Sequence, residues 1–150
     1  MKNKIIKYGG IIVVIGFMIA ISLAVYMFNK PKRNIAKTKV EYTLTATQLI
    51  TEFIQDEQAA NSKYLSAAYG KVIQVSGIIG EINITGDTII NLSLKEPKMK
   101  SGSINCSMQN TELNKIKLLK IGDKVTVKGE CTGYLNITNE VSVVKCLLEE

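Results

Sequence analysis

Ile121-Gly122-Asp123-Lys124-Val125-Thr126-Val127-Lys128-Gly129-Glu130-Cys131-Thr132-Gly133 is the stretch that decides the fold. Val125 and Val127 alternate with Thr126 and Lys128, the period of a half-buried strand. Gly122-Asp123 before it and Thr132-Gly133 after it supply turn chemistry. The alternation places Val125, Val127 and Cys131 on a core face and sends Lys124 and Lys128 to solvent.

Working outward, the same period recurs upstream. Val72 to Ile82 reads as one long bent strand, with Gly77 and Gly80 as sites for bulges. Ile84-Thr85-Gly86-Asp87 is a turn. Thr88 to Leu94 follows, with Ile90, Leu92 and Leu94 on one face and Asn91 and Ser93 on the other. Lys95 to Gly102 is a loop carrying Lys95, Lys98 and Lys100, and Ser103 to Met108 is a third strand with Ile104, Cys106 and Met108 inward. A short helix is expected from Asn110 through Leu119. After the opening stretch, Glu140 to Leu148 is the last strand, with Cys146 sharing parity with Val144 and Leu148. Before all of these, Thr45-Ala46-Thr47-Gln48 fits a capping box, and Leu49, Ile50, Phe53 and Ile54 form the apolar stripe of a helix reaching about Tyr64. Three strands, a helix, then two strands is the layout of a five-stranded OB-fold barrel. The fold class is therefore mainly β, with a preceding helix and a short helix between strands three and four.

The first 28 residues differ from the rest. Tyr8 to Phe28 holds 21 residues without a charge; as a helix at about 1.5 Å per residue it would span about 31 Å, a bilayer core. Pro31 ends it, and Tyr8, Tyr26 and Phe28 suit its interfaces. This reads as an N-terminal transmembrane signal-anchor. The competing reading is a cleaved signal peptide ending at Ser22-Leu23-Ala24, against which the apolar run continues past Ala24. The resulting organisation is a basic tail (1–7), a membrane span (8–28), a basic linker (29–43) and a barrel domain with its N-terminal helix (44–150). Lys30, Lys32, Arg33, Lys37 and Lys39 outnumber the three N-terminal lysines and taken alone would place the domain in the cytoplasm. Against that, a first helix behind a short basic tail is the usual export arrangement and the cysteines fit an oxidising side, which places the domain in the periplasm, single-pass at a bacterial inner membrane.

The net charge of +6 divides unevenly. Residues 1–39 carry eight Lys or Arg and no acid, whereas residues 40–150 carry 11 Lys against 13 acids, a balance of −2. The barrel is thus a poor electrostatic partner for a phosphate backbone. Between Lys71 and Met108 there is no Phe, Tyr or Trp to stack a base, with only Tyr69 and Tyr134 near barrel ends.

The pattern Ala46, Leu49-Ile50, Phe53, Asp56-Glu57, Ala60, Tyr64, then Tyr69-Gly70-Lys71-Val72-Ile73-Gln74-Val75-Ser76-Gly77, then Gly122 to Tyr134, then Val141-Ser142-Val143-Val144-Lys145-Cys146, resembles the tRNA_anti-like family. That family comprises small bacterial OB-fold proteins, often behind a membrane segment. The resemblance implies a binding fold and brings no catalytic or binding residues with it.

The chemistry-bearing residues are few. With no His, the commonest general base is missing and none stands ready to activate a cysteine, so no catalytic residue is assigned and the protein reads as a non-enzyme. Glu52, Asp56 and Glu57 read as a solvated helix face rather than a metal site, and neither metal nor cofactor is expected. Cys106, Cys131 and Cys146 all look inward. Either they are three small core residues, or Cys146 is bridged to Cys131 or Cys106, with Cys106–Cys131 excluded by having to cross the barrel. Asn83, Asn91, Asn105 and Asn136 each open an Asn-x-Ser/Thr triplet, read as chance matches in an Asn-rich chain. The expected function is a membrane-anchored envelope module binding a protein or glycan. The alternative is a single-stranded nucleic-acid or tRNA binder at the cytoplasmic face.

Overall fold

The computed structural model describes residues 15–26, 33–66, 69–86, 88–97 and 101–149. The chain forms two compact units, Met1–Arg33 and Asn34–Glu150. In the first, residues 15–26 form helix α1, whose Phe17, Met18 and Leu23 side chains are exposed. Among the described residues no helix is long and apolar enough to cross a membrane. The remainder of the expected span (8–14 and 27–28) and the basic tail lie outside the described residues.

The second unit contains β1 (Tyr42–Thr45), α2 (Ala46–Gln55), α3 (Glu57–Tyr64), β2 (Val72–Thr85), β3 (Ile89–Lys95), β4 (Ser103–Met108), a 3-10 turn (Asn110–Glu112), α4 (Leu113–Ile116), β5 (Lys124–Leu135) and β6 (Glu140–Glu149). The sheet runs β1-β2-β3-β4-β6-β5, and β5 pairs back onto β2. Strands β2 to β6 therefore close into the expected five-stranded barrel. β1 is a sixth strand, laid parallel to β2 outside the ring and too short to announce itself by periodicity.

Closure falls on β2. Its first half, Val72 to Ile78, is antiparallel to β5, and its second half, Ile78 to Thr85, is antiparallel to β3. Of the two glycines expected to bulge, only Gly80 does, where the register shifts between Ile79 and Glu81. Gly77 is instead a point of close approach: a Cβ there would meet the Ala46 and Leu94 Cβ atoms at 3.1 Å each.

The expected capping box is present, with Thr45 Oγ1 accepting from Gln48 N–H and Gln48 Oε1 accepting from Thr45 N–H. α2 buries Ala46, Leu49, Ile50 and Phe53 over one end of the barrel, against β1, β2, β3, β4 and β6. Phe53 stacks on Tyr134 at 5.1 Å between ring centroids. The helix expected to run to Tyr64 breaks at Asp56. The Asp56 N–H closes α2 on Glu52 O, and its carboxylate accepts from Ala59 N–H to open α3; short acidic side chains compete with the helix in this way. The expected 110–119 helix is likewise shorter, a 3-10 turn followed by the single turn of α4.

Two parity expectations are corrected. Lys128 does not point to solvent: it is 8% exposed and its Nζ donates to Ala36 O. Beside it Ile35, inside the stretch read as linker, is 1% exposed. In β6, Lys145 adopts a left-handed φ of 54° and the register to β5 shifts between Glu130 and Lys128. This bulge changes the alternation, so Val141, Val143 and Cys146 face the core rather than Val144 and Cys146 together.

The bulge leaves no room at Gly129, where a Cβ would lie 2.6 Å from Cys146 Sγ and 2.7 Å from Val143 Cγ1. Gly129→Ala should lower unfolding stability by about 1–3 kcal/mol through overpacking. A urea titration would read this as an earlier midpoint with unchanged slope; an unchanged midpoint would contradict the packing described.

Candidate ligand groove on the barrel wall

The outward face of the barrel opposite the core forms an open cleft of about 300 Å³, at the lower end of the range of ligand sites. Glu81 and Asn83 come from β2, Asn91, Ser93 and Lys95 from β3, Ser103 and Asn105 from β4, and Glu140 from β6. Their meeting is a consequence of register. Asn83 pairs with Asn91, Glu81 with Ser93, Ser93 with Asn105 and Ser103 with Glu140. Directly opposed residues share a face, so these polar groups form transverse rows across four strands.

Among the described residues, no protein group hydrogen-bonds to the side chains of Asn91, Ser93 or Asn105. Their amides and hydroxyls therefore face solvent with donors and acceptors available. Ile89 lies two residues before Asn91 on β3, and Leu135 pairs with Glu140; both are about half exposed and place aliphatic surface at the two ends of the polar rows. The charged lining is Glu81 and Glu140 against Lys95, a balance of −1. Lys98 and Lys100 lie outside the described residues.

The acidic residues of α2 have a different role. Glu52 Oε2 accepts from Lys63 Nζ and Tyr64 Oη, each at 2.7 Å. Lys63 Nζ also lies 5.3 Å from the Tyr42 ring centroid, so the network ties α2 and α3 to β1. Asp56 is occupied as a cap. Among the described residues no group of three or more acidic or cysteine side chains could hold a metal. Tyr134 is not a stacking platform, since its ring lies on Phe53 and its hydroxyl donates to Asn139 Oδ1.

Cys106, Cys131 and Cys146 are buried thiols. Burial pushes Cys131 up to about 11, with a backbone hydrogen bond at Gly133 opposing it. Burial, and then the adjacent Cys106 thiol, raise Cys146 as well. Of the two pairings open to Cys146, the fold sets its sulfur against Cys106, while Cys131 lies opposite Val143.

The tRNA_anti-like family profile matches residues 1–147. The chain belongs to the tRNA_anti-like family. This member matches no curated protein. Among solved structures it is similar to a candidate nucleic acid-binding lipoprotein from Klebsiella pneumoniae, at 16% identity and a TM-score of 0.56, covering 71% of this chain and 91% of that one. It is also similar to the Entamoeba histolytica asparaginyl-tRNA synthetase, at 20% identity and a TM-score of 0.42, covering 56% of this chain and 22% of that one. An OBody bound to hen egg-white lysozyme matches at 13% identity and a TM-score of 0.42, over 53% and 96% of the two chains.

None of the groove residues was singled out as a site from the sequence of this tRNA_anti-like protein. A signal was present: Asn83-Ile84-Thr85, Asn91-Leu92-Ser93 and Asn105-Cys106-Ser107 each place two polar residues at i and i+2, on one face of a strand. What looked like chance triplets marks the polar outer wall.

The Glu52 network sets a pH dependence. Burial alone would raise Glu52, but hydrogen bonds from Lys63 and Tyr64 and the Lys63 charge outweigh it, and the carboxyl sits below its ordinary value of 4.5. Its contribution is present above that value and lost as pH falls through the depressed one. Tyr64 is raised by burial and by Glu52 to about 12, so its contribution is present below the ordinary value and lost as pH rises through 12. Equilibrium unfolding across pH should show a shallower acid limb in Glu52→Gln and a shallower alkaline limb in Tyr64→Phe. Limbs parallel to wild type would contradict the network.

Proposed function

We propose that this OB-fold binding module is held at a bacterial inner membrane by residues 8–28 and presents its groove to an uncharged, hydroxyl-rich ligand of glycan chemistry. The observation that carries the reading is the groove's composition: the unpaired side chains of Asn91, Ser93 and Asn105, a slight negative balance and, among the described residues, no aromatic lining. Amide and hydroxyl rows exchange donors and acceptors with sugar hydroxyls, and OB-folds take oligosaccharides on this wall. A phosphate backbone needs clustered cations, and the groove offers Lys95 beside two carboxylates.

The second reading is a single-stranded nucleic acid bound at the cytoplasmic face. It is favoured by the similarity to the Klebsiella pneumoniae lipoprotein and by the cations of residues 1–39. A topology reporter fused after Glu150 separates the two, since a cytoplasmic C-terminus removes the envelope glycan. Non-enzymatic action agrees with the burial of all three thiols and with the raised pKa values of Cys131 and Cys146, which disfavour their thiolates. In the exported arrangement, exchange with an external disulfide, which leaves as two thiols, would join Cys106 and Cys146.

With N-acetylhexosamine oligomers as probe, full-length protein should bind, and Asn91→Ala and Asn105→Ala should each weaken binding about tenfold, the loss of one hydrogen-bonding amide. Thermal unfolding should be unchanged, because both positions are outward. Binding of a single-stranded oligonucleotide instead, unaffected by the two substitutions, would overturn the proposal.

A further inference from the structure

The loop joining α4 to β5 has no part in the groove, yet it is built to meet a surface. Leu118 is 81% exposed and Ile121 68% exposed, among the most exposed apolar side chains of the barrel unit. Around them stand Lys115, Lys117, Lys120 and Lys124, all exposed. The two carboxylates of the same segment are engaged locally: Glu112 is buried and pairs with Lys115 at 3.7 Å, and Asp123 accepts from Lys120 N–H at 2.8 Å.

Most amides of this loop are paired, within the loop or to β2. Lys117 N–H donates to Leu113 O, Leu118 N–H to Lys115 O and Leu119 N–H to Ile116 O. Gly122 N–H donates to Ile79 O, Asp123 N–H to Lys120 O, and Ile79 N–H returns to Asp123 O, pinning the loop to β2. Such pairing lowers the cost of bringing the loop to the hydrated headgroup level, where the remaining amides keep water. Two protruding aliphatic side chains ringed by lysines also match the chemistry of an anionic bilayer surface, with acyl chains beneath and negative headgroups above. A nucleic acid would use the lysines but leave Leu118 and Ile121 in water, since it stacks on aromatic rings instead.

We infer that the Lys117–Lys124 loop docks on the surface of an anionic lipid bilayer, with Leu118 and Ile121 inserted at the headgroup level. This adds a second membrane contact, on the barrel itself, to the proposed N-terminal anchor. It stands independently of the groove's ligand.

The chain contains no tryptophan, so Leu118→Trp creates a sole indole, selectively excited beyond the tyrosine band. Full-length Leu118→Trp protein in phosphatidylglycerol vesicles with brominated acyl chains should show blue-shifted, quenched emission, and should lose both in phosphatidylcholine vesicles. Ile137→Trp is the control. Ile137 is 87% exposed and lies past the far end of the 12-residue β5, on the order of 30 Å away at about 3.3 Å per residue with allowance for strand curvature; it should stay unquenched in both. Replacing Lys117, Lys120 and Lys124 by Gln in the Leu118→Trp chain should reduce quenching several-fold without changing thermal unfolding. Absence of quenching at Leu118→Trp in phosphatidylglycerol, or equal quenching at the Ile137 control, would overturn the inference. So would a response to a single-stranded oligonucleotide with none to vesicles.

Discussion

The structure depends on one strand being shared. β2 gives its first half to β5 and its second half to β3, and Ile78 is the residue at which the pairing changes hands. Without that handover the five strands would form an open sheet with two exposed edges. The turn in direction needs a strand without a side chain where neighbours crowd it, which the sequence supplies with Gly77 against the Ala46 and Leu94 side chains, and with a bulge at Gly80. Helix α2 then seats its apolar face on the opening that the bent strand leaves, so the capping box at Thr45 belongs to barrel closure as much as to the helix.

From closure follow both candidate surfaces. Because β2, β3, β4 and β6 are held in fixed register, Asn83, Asn91, Ser93, Asn105 and Glu140 fall into rows on the outer wall. Because β2 carries the α4–β5 loop at Ile79, Leu118 and Ile121 are presented on a pinned segment. The polar wall and the basic, apolar loop differ in chemistry, and their assignments stand separately: the wall matches hydroxyls, the loop a charged lipid surface.

Much of the fold was legible in the sequence, because inward and outward residues alternate cleanly in β3 and β4, where neither strand is interrupted. Legibility failed where pairing overrides alternation. Lys128 is buried since the Asn34–Thr38 turn lies over it, and Cys146 changes parity since Lys145 takes a left-handed φ. Neither event has a local signature. Break points such as Asp56 were readable in principle, because an Asp ahead of Glu57 can cap as well as continue a helix. Family-matching motifs report structure rather than ligand. Gly70 N–H donates to Glu130, whose other oxygen receives Lys145, and Gly129 makes room for Cys146, so these motif residues clasp β2, β5 and β6. The groove escaped notice because amide and hydroxyl residues without a His or Cys among them resemble ordinary solvated surface. Only three-dimensional register shows that Asn83, Asn91 and Asn105 share one wall.

The central claim is that this wall recognises a neutral, hydroxyl-rich ligand. It is tested most directly by following the side-chain amide NMR signals of Asn83, Asn91 and Asn105 while titrating N-acetylhexosamine oligomers and, separately, a single-stranded oligonucleotide at two salt concentrations. The account predicts that the sugar shifts these signals equally at both salts and that the oligonucleotide leaves them in place. Salt-sensitive shifts with the oligonucleotide and none with the sugar would contradict it.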